Sequence, residues 1–316
     1  MTATADVTRR QAWVMAARPQ TLPAGGAPVA VGVGLAVADG VFSLLPAIGA
    51  LLGALLLQVG TNFANDYYDA KKGADTDDRE GFTRVTAGGL IDPEQVKRAT
   101  VVTFGLALGV GATLVYVGGV PIVIVGLASI AAGLLYTGGP YPYGYYGLGD
   151  LFVFVFFGLV AVTGTYYVQA VEALGESPFP MWIPAETVTV DGILAGAAIG
   201  ALATCILVIN NVRDRETDRQ AGKRTLAVLL GYRLSRIEYL GLLAVAYAVP
   251  LLFVFRGFSV FALAPLLTLP LAGIVARTVL TRTDGEALNP ALERTGQLLA
   301  LYALLFALGL SLPEVV

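Results

Sequence analysis

Residues 41–70 read VFSLLPAIGALLGALLLQVGTNFANDYYDA, and this stretch decides the fold. From Val41 to Ala64 the sequence contains no charged residue. A run of about 20 apolar residues is long enough for a helix to cross the hydrocarbon core of a bilayer. The sequence then changes to asparagine, aspartate and tyrosine. The stretch therefore predicts a transmembrane helix with acidic side chains where it leaves the membrane.

Similar charge-free runs continue along the chain, which is 56% hydrophobic and only 14% charged, against roughly 25% charged in soluble proteins. We expect an all-α integral membrane protein, residues 1–316 as a single domain, with about nine transmembrane helices around a central cavity. Glycines inside the spans, such as Gly105, Gly126, Gly196 and Gly200, are expected at helix contacts. The predicted spans are approximately residues 24–41, 44–65, 97–117, 120–137, 150–171, 191–211, 237–255, 258–277 and 295–313.

The positive charges predict the orientation. All of the 20 Lys and Arg except Arg256 lie before the first span or in the loops after spans two, six and eight. With nine spans these segments share one side, which the positive-inside rule places in the cytoplasm. We therefore expect a multi-pass protein of the cell membrane with its N-terminus and these loops in the cytoplasm and its C-terminus outside.

Composition excludes several classes of function. The chain has no histidine, which removes imidazole catalysis and histidine-based metal sites. Its single cysteine, Cys205, cannot form an internal disulfide and lies in an apolar span, where a packing role is expected. The net charge of −3 offers no basic surface, so no nucleic-acid partner is expected.

Two polar clusters follow spans two and six, in loops at about 62–96 and 209–236. In the first, Asn62, Asp66 and Asp69 are spaced i, i+4 and i+7, so they share one face of a helix. In the second cluster the spacing is i, i+4 and i+8, at Asn210, Asp214 and Asp218. Each cluster follows the second span of a group, spans one and two or spans five and six, and this match suggests two pseudo-repeated halves.

Facing carboxylates of this kind suit magnesium, which takes one or two carboxylates together with substrate phosphates. The alternative interpretation is a pair of solvated loops whose aspartates cap helices and whose cations only fix the topology. In the functional interpretation Asp66, Asp69, Asp214 and Asp218 are the candidate catalytic residues. Nearby cations would bind a diphosphate. These are Lys72, Arg79, Arg213, Lys223 and Arg224.

A third loop, YTGGPYPYGYYGLGD at 136–150, is rich in tyrosine, and its glycines and prolines predict a non-helical segment. Its aromatic side chains suit an interfacial belt. They equally suit an active-site wall that stabilises a carbocation or stacks on an aromatic acceptor. The candidates are Tyr136, Tyr141 and Tyr143. Asp150, at the head of span five, is a further polar candidate or a helix cap.

At these loops the chain resembles the UbiA-type membrane prenyltransferases, and within them the branch that prenylates 1,4-dihydroxy-2-naphthoate in menaquinone synthesis. The resemblance extends from about Arg18 to the last helices. The strings that carry it are NDYYD (65–69), KGAD (72–75), NNVRD (210–214), GKRTL (222–226), PYGYYGLGDLFVFVFFG from residue 142 and ARPQTLPA from residue 17.

The resemblance implies magnesium, a polyprenyl diphosphate donor, a dihydroxynaphthoate acceptor and demethylmenaquinone as product, with diphosphate and carbon dioxide released. Asn62, Asp66 and Asp69 would hold one magnesium, and the second cluster would hold another. The chain has Ala70 where the superfamily commonly has a third aspartate, so Asp69 or Asp75 takes that part. The residues do not identify a general base.

Other functions stay open at this point. Within the superfamily the acceptor could be homogentisate, 4-hydroxybenzoate or a glycerol-phosphate lipid. An ion-coupled transporter would also use membrane carboxylates, although transporter sites lie near the bilayer midplane and these clusters lie at helix ends. The aspartate motif of the phospholipid-forming alcohol phosphotransferases is absent from the sequence.

Overall fold

The computed structural model describes residues 7–72, 85–175 and 178–312, and these ranges contain helices and no β-strand. A π-helical segment lies at Phe154–Val160, and short 3₁₀ helices lie at Pro19–Thr21, Tyr143–Tyr146 and Val260–Thr268. The α-helices are α1 (Arg9–Ala17), α2 (Leu22–Ala38), α3 (Leu44–Lys72), α4 (Pro93–Leu135), α5 (Gly149–Val153), α6 (Ala161–Ala173), α7 (Val190–Arg213), α8 (Arg215–Gln220), α9 (Leu226–Phe255), α10 (Leu269–Thr281) and α11 (Gly285–Ser311).

Within the described ranges, eight helical segments are long and apolar enough to cross a membrane. One of them, α4, has 43 residues, about 65 Å at 1.5 Å per residue, which is twice the thickness of a bilayer core. It is broken at Gly119, whose φ of 61° and ψ of −149° are not helical. Its two halves are therefore separate spans, and the described residues make nine passes, as the sequence predicts.

The basic segments gather at one end of the bundle. Lys72, at the end of α3, donates a hydrogen bond to the carbonyl of Thr137, and Arg213, at the end of α7, donates one to Asn289. The helix α9 begins at the basic end, is broken near its start at Gly231 (φ of 74°, ψ of 170°) and then continues to Phe255. Arg256 follows it and therefore lies at the opposite end. Among the residues that the structure describes, the positive charges are thus separated between the two ends as the sequence predicts.

Close helix packing around α7 uses glycine. A Cβ atom on Gly158 would lie 2.4 Å from both the carbonyl oxygen of Gly196 and the Cα of Gly200, so the π-helical segment and α7 touch through backbone. The prediction of helix contacts is confirmed for Gly196 and Gly200. Gly105 and Gly126 differ, because a Cβ on either would meet nothing within 4 Å. They face open space, and the prediction is wrong for them.

The main hydrophobic core forms where α7 packs against α2, α9 and α11. Ile199 and Leu202 of α7 are fully buried, as are Tyr302 and Phe306 of α11. On the other side of α7, the helices α3, α4 and α6 leave an internal space. This space is the largest part of a cavity that also reaches α2.

Candidate active site

A cavity of about 1080 Å³ lies between α2, α3, α4, α6 and α7. On α3 its lining extends from Ala50 to Asp69, which is about 29 Å along the helix axis. Most of the wall consists of alanine, glycine, leucine, isoleucine and valine, with Phe152 and Phe156. The ionisable side chains lie at the basic end of the bundle. The cavity therefore suits a long apolar molecule with a strongly polar head.

The polar face of α3 at this end is formed by Gln58, Asn62, Asn65 and Asp69, all of which line the cavity. They fall on one side of the helix because positions 3, 4 and 7 apart return to the same face at about 100° per residue. Asn65 accepts a hydrogen bond of 2.9 Å from the hydroxyl of Thr137. The sequence prediction included Asn62 and Asp69 but not Gln58 or Asn65.

Asp66 lies about 60° around α3 from Asp69 and is not part of the cavity lining. Its carboxylate accepts hydrogen bonds from the backbone N–H of Thr86, at 3.1 Å, and from the Thr86 hydroxyl. Arg18 Nη2 lies 3.9 Å from the other carboxylate oxygen. In this structure Asp66 therefore joins α3 to the segment after the first acidic loop and to the N-terminal segment.

Asn62 holds the N-terminal segment against α3. Its Nδ2 donates to the carbonyl of Ala17 at 2.9 Å and to Oγ1 of Thr21 at 2.8 Å. Between these partners Arg18 adopts a left-handed conformation, with φ of 53° and ψ of 68°, which turns its side chain toward the cavity. The amide nitrogen of Asn62 makes these two hydrogen bonds, and its oxygen accepts one of 3.4 Å from Nε2 of Gln58. The oxygen is the atom of the two that a cation could bind.

Asp69 and Lys72 meet the tyrosine-rich loop. Asp69 is only 2% exposed and accepts a 2.6 Å hydrogen bond from the hydroxyl of Tyr145. Lys72 Nζ donates to the carbonyls of Thr137, at 2.6 Å, and Gly139, at 3.4 Å, and lies 5.2 Å from the centre of the Tyr145 ring. Tyr145 was not among the predicted site residues, since its partner is 76 positions away in the chain.

The second acidic cluster does not form one continuous helical face. The helix α7 ends at Arg213, and Asp214, with φ of −89° and ψ of 8°, turns the chain into α8. Arg213 donates two hydrogen bonds of 2.7 Å to the two carboxylate oxygens of Asp214. It also donates to Asn210 at 2.6 Å and to Asn289 at 2.7 Å. Asn210 and Arg213 line the cavity, and Asp214 lies behind them.

Asp218 and Lys223 form a partly buried pair beside the same loop. Lys223 Nζ lies 3.6 Å from the Asp218 carboxylate and 4.8 Å from the centre of the Tyr145 ring. The backbone N–H of Arg224 donates to the carbonyl of Tyr145 at 2.7 Å. The structure thus brings the two acidic clusters together on either side of the tyrosine-rich loop.

Two of the three predicted tyrosines form part of the cavity wall. Tyr143 stacks on Phe152, with ring centres 4.1 Å apart, and Tyr136 meets Tyr143 edge to face at 5.4 Å. Burial raises the pKa of Tyr136 and of Tyr143 well above the usual tyrosine value, so both phenols stay neutral. Tyr141 is 77% exposed and is not part of the lining.

Asp150 lies in the first turn of α5, at the head of span five as predicted, but it neither caps that helix nor lines the cavity. It is buried, and Asn211 Nδ2 donates to its Oδ2 at 3.5 Å. Its other carboxylate oxygen has no hydrogen-bond partner within the described ranges. Asp150 therefore lies behind the aromatic wall, not on the surface that a bound molecule would touch.

Of the predicted residues, Asp75 and Arg79 lie outside the described residues. The prediction also missed residues that the cavity exposes. Arg18 lines it from the N-terminal segment and Glu293 from α11. Gln58 and Asn65 could have been found from periodicity, since they lie four positions before and three positions after Asn62. No local pattern indicates Glu293.

The chemistry of the side chains at this end, although not a preformed cage, suits a hard divalent cation. The donor atoms are carboxylate and amide oxygens of Asn62, Asn65, Asp69 and Asn210. In this structure Thr137, Tyr145 and Arg213 donate hydrogen bonds to three of these oxygens. In the part of the chain that the structure describes, no group of three or more His, Cys, Asp or Glu could hold a metal ion. Oxygen donors in this number match magnesium, which keeps water or phosphate oxygens as further ligands.

The comparisons with known proteins agree with this geometry. The family model for the UbiA prenyltransferase family matches residues 26–302. The chain is 40% identical to the 1,4-dihydroxy-2-naphthoate octaprenyltransferase of Escherichia coli (strain K12), with 98% of each chain covered. It is 39% identical to the enzyme of the same name from Mycobacterium tuberculosis, covering 96% of this chain and 97% of the relative.

Among solved structures, a UbiA homolog from Archaeoglobus fulgidus bound to GPP and Mg²⁺ has the same fold, with a TM-score of 0.61 and 18% identity over 93% of this chain and 99% of that chain. The nine-pass fold, the cavity and the family match over most of the sequence lead to one conclusion. The chain belongs to the UbiA prenyltransferase family.

Proposed function

We propose that this protein transfers a polyprenyl group from polyprenyl diphosphate to 1,4-dihydroxy-2-naphthoate, with loss of diphosphate and carbon dioxide. The product is demethylmenaquinol, the reduced form of demethylmenaquinone. The name shared by relatives at 40% and 39% identity over nearly the whole chain supports the acceptor. The observation that carries the proposal is the long apolar cavity that ends between two acidic clusters.

The donor's prenyl tail fits the apolar part of the cavity, and its diphosphate lies at the polar end. We propose magnesium as the divalent ion, because the Archaeoglobus fulgidus relative was solved with GPP and Mg²⁺. When bound, magnesium would neutralise charge on the diphosphate and make it a better leaving group. The proposed ligands are Asn62, Asn65 and Asp69, with Asp75, for one ion and Asn210 and Asp218 for the other. Asp66 and Asp214 are hydrogen-bonded to Thr86 and Arg213 outside the cavity lining, and we assign them to holding the ligand-bearing segments in place.

Cationic side chains surround this end and complement the remaining phosphate charge. Lys72 and Lys223 approach from the two acidic clusters on either side of Tyr145. Arg213 reaches the cavity, although Asp214, Asn210 and Asn289 already occupy its donors. The proposed diphosphate contacts are Lys72, Arg79, Lys223 and Arg224, with Arg213 holding the second cluster in shape.

The aromatic wall of Tyr136 and Tyr143 serves the transferred group and the acceptor. Neutral phenol rings present negative faces that stabilise the allylic cation as it separates from diphosphate. The same faces stack on a planar naphthalene ring. A water-poor wall of this kind also protects the cation from capture by water.

The bonds and charges of the reaction balance without a base. The allylic C–O bond to diphosphate breaks, and a C–C bond forms to the ring carbon that bears the acceptor's carboxylate. The bond to that carboxylate then breaks, its electron pair returns to the ring, and carbon dioxide leaves. No net proton is released, which explains why neither the sequence nor the cavity needs a dedicated general base.

We place the protein in the cell membrane, with the basic, acidic-cluster end facing the cytoplasm and the C-terminus outside. The support is the location of the Lys and Arg residues at that end, since positive loops remain in the cytoplasm. Prenyl diphosphate and a charged naphthoate are both water-exposed at their polar ends. A cytoplasmic opening would give both of them access.

An acceptor panel tests the proposal. Detergent-purified protein is given geranylgeranyl diphosphate and Mg²⁺ with 1,4-dihydroxy-2-naphthoate, 4-hydroxybenzoate, homogentisate or glycerol phosphate, and products are identified by mass spectrometry. We expect prenylated product with the naphthoate and only trace product with the others. Preferred use of another acceptor would reject the acceptor and keep the family. Ion flux in liposomes without any prenyl transfer would favour the transporter alternative.

A further inference from the structure

Tyr145 contacts both halves of the proposed diphosphate site. Its hydroxyl donates to Asp69 of the first acidic cluster at 2.6 Å. Its ring lies 5.2 Å from Lys72 Nζ and 4.8 Å from Lys223 Nζ, and Lys223 belongs with the second cluster. Its backbone carbonyl accepts from the N–H of Arg224. One residue of the tyrosine-rich loop therefore joins elements that are far apart in sequence.

The hydroxyl contact restricts the Asp69 carboxylate. Asp69 is 2% exposed and lies at the cavity wall, where each of its rotamers would direct its oxygens differently. A short hydrogen bond from a phenol to a carboxylate is charge-assisted and stronger than one between neutral groups. With one oxygen held by Tyr145, the direction of the other oxygen is fixed.

The ring contacts act on the two lysines. Two ammonium groups near one site repel each other, and in this structure Lys223 is also paired with Asp218 at 3.6 Å. The negative face of an aromatic ring attracts both cations within about 6 Å. The ring therefore keeps both lysines near the polar end of the cavity before any substrate binds.

We propose that Tyr145 is a positioning residue for the diphosphate site, acting through Asp69 on metal binding and through Lys72 and Lys223 on the diphosphate. This inference rests on the proposed function, because it assumes a magnesium-bound diphosphate at this end of the cavity. The hydroxyl and the ring of Tyr145 have different roles in this proposal. The hydroxyl serves the metal ligand, and the ring serves the cations.

Two substitutions separate these parts. Tyr145→Phe removes the hydroxyl and keeps the ring, and Tyr145→Leu removes both. Tyr141→Phe and Tyr141→Leu are matched controls, because Tyr141 lies in the same loop but is 77% exposed, with its ring beside that of Tyr146. All four variants are made in the full chain, and their folding is checked by gel filtration in detergent.

The readout is equilibrium binding of a geranylgeranyl thiodiphosphate, whose bridging sulfur resists cleavage, titrated at several Mg²⁺ concentrations. For Tyr145→Phe we expect the Mg²⁺ concentration at half-saturation to rise about five- to tenfold, with near-normal affinity at saturating Mg²⁺. For Tyr145→Leu we expect an additional loss of about threefold or more in affinity even at saturating Mg²⁺. Both Tyr141 variants should match the wild type.

A double-mutant cycle checks the route of the effect. If Tyr145 acts through Asp69, then Tyr145→Phe should change Mg²⁺ dependence little in a chain that already carries Asp69→Asn. An unchanged Mg²⁺ half-saturation in folded Tyr145→Phe, or an equal change in Tyr141→Phe, would overturn the inference alone. If wild-type protein does not bind the analogue in a Mg²⁺-dependent manner, the proposed function and this inference both fail.

Discussion

Replacing Arg213 by methionine should destabilise the protein before it affects chemistry. The side chain is 5% exposed and donates four hydrogen bonds of 2.6 to 2.7 Å, two of them to Asp214. These bonds join the end of α7 to α11 through Asn289. Methionine has a similar length and no charge, so it leaves Asp214 buried without this guanidinium.

The magnitude follows from the burial of the pair. Asp214 is 4% exposed, and removing one partner of a buried ion pair costs about 3–5 kcal/mol, because the remaining charge stays desolvated. For a chain of this size a loss of about 3 kcal/mol corresponds to a fall of roughly 5 °C or more in melting temperature. Replacing both residues, as Arg213→Met with Asp214→Leu, should recover at least about 1 kcal/mol of this loss, since no buried charge is left alone.

The assay is the apparent melting temperature of purified protein in detergent, measured at one heating rate because membrane proteins often unfold irreversibly. Arg282→Met is the control. Arg282 pairs with Asp284 at the same end of the bundle, but both side chains are largely exposed, at 52% and 40%. Exposed pairs contribute little, so this variant should melt close to the wild type.

If Arg213→Met melts within about 1 °C of the wild type and loses only affinity for prenyl diphosphate, then Arg213 binds substrate and does not hold the cluster in shape. A double variant that is less stable than Arg213→Met would likewise contradict the buried-pair account.

Three further predictions follow from the geometry. Lys72→Gln should raise the KM for prenyl diphosphate about tenfold, because one charge-assisted contact is lost. Lys71→Gln is the control and should leave this KM unchanged, and both are measured from initial rates at varied donor concentration. Gly158→Val should lower stability by about 1–3 kcal/mol, because its Cβ would overlap α7, whereas Gly105→Val, in open space, should melt like the wild type. Gly126→Leu should fill part of the cavity and lower kcat/KM for long prenyl diphosphates more than for geranyl diphosphate. An equal loss of kcat/KM for both lengths would contradict the proposed location of the prenyl tail.

The fold could be predicted well because hydrophobic length and charge location act along the chain. The apolar runs identified the spans, and the predicted bounds 97–117 and 120–137 leave a gap at the position where Gly119 breaks what is otherwise a single 43-residue helix. The division into two pseudo-repeated halves stays a prediction. Glycine alone did not identify helix contacts, because a glycine can face a neighbour, as Gly200 does, or open space, as Gly105 does.

The site was predicted less completely, for physical reasons. Periodicity placed Asp66 and Asp69 on one face, but the remaining angle of about 60° is enough to turn Asp66 toward Thr86 and away from the cavity. The spacing of the second cluster assumed a continuous helix, which ends at Arg213.

The role of Tyr145 was also beyond sequence reasoning. Its contacts with Asp69 and Lys223 join segments that are 76 and 78 positions away, and such tertiary contacts leave no local pattern. A loop with several tyrosines indicated an aromatic wall but not which ring would reach which partner. Tyr141, which the prediction included, is exposed, and Tyr145, which it did not include, lies between the acidic clusters.

In the proposed reaction each prenyl transfer releases one carbon dioxide, so the ratio of the two products is the decisive measurement. Purified protein is given geranylgeranyl diphosphate, Mg²⁺ and 1,4-dihydroxy-2-naphthoate labelled in its carboxyl group, and released labelled carbon dioxide is compared with prenylated product over time. The account predicts equal amounts of the two, both abolished by chelation of Mg²⁺. Prenylated product that retains the labelled carboxyl, or no product from folded protein, would contradict it.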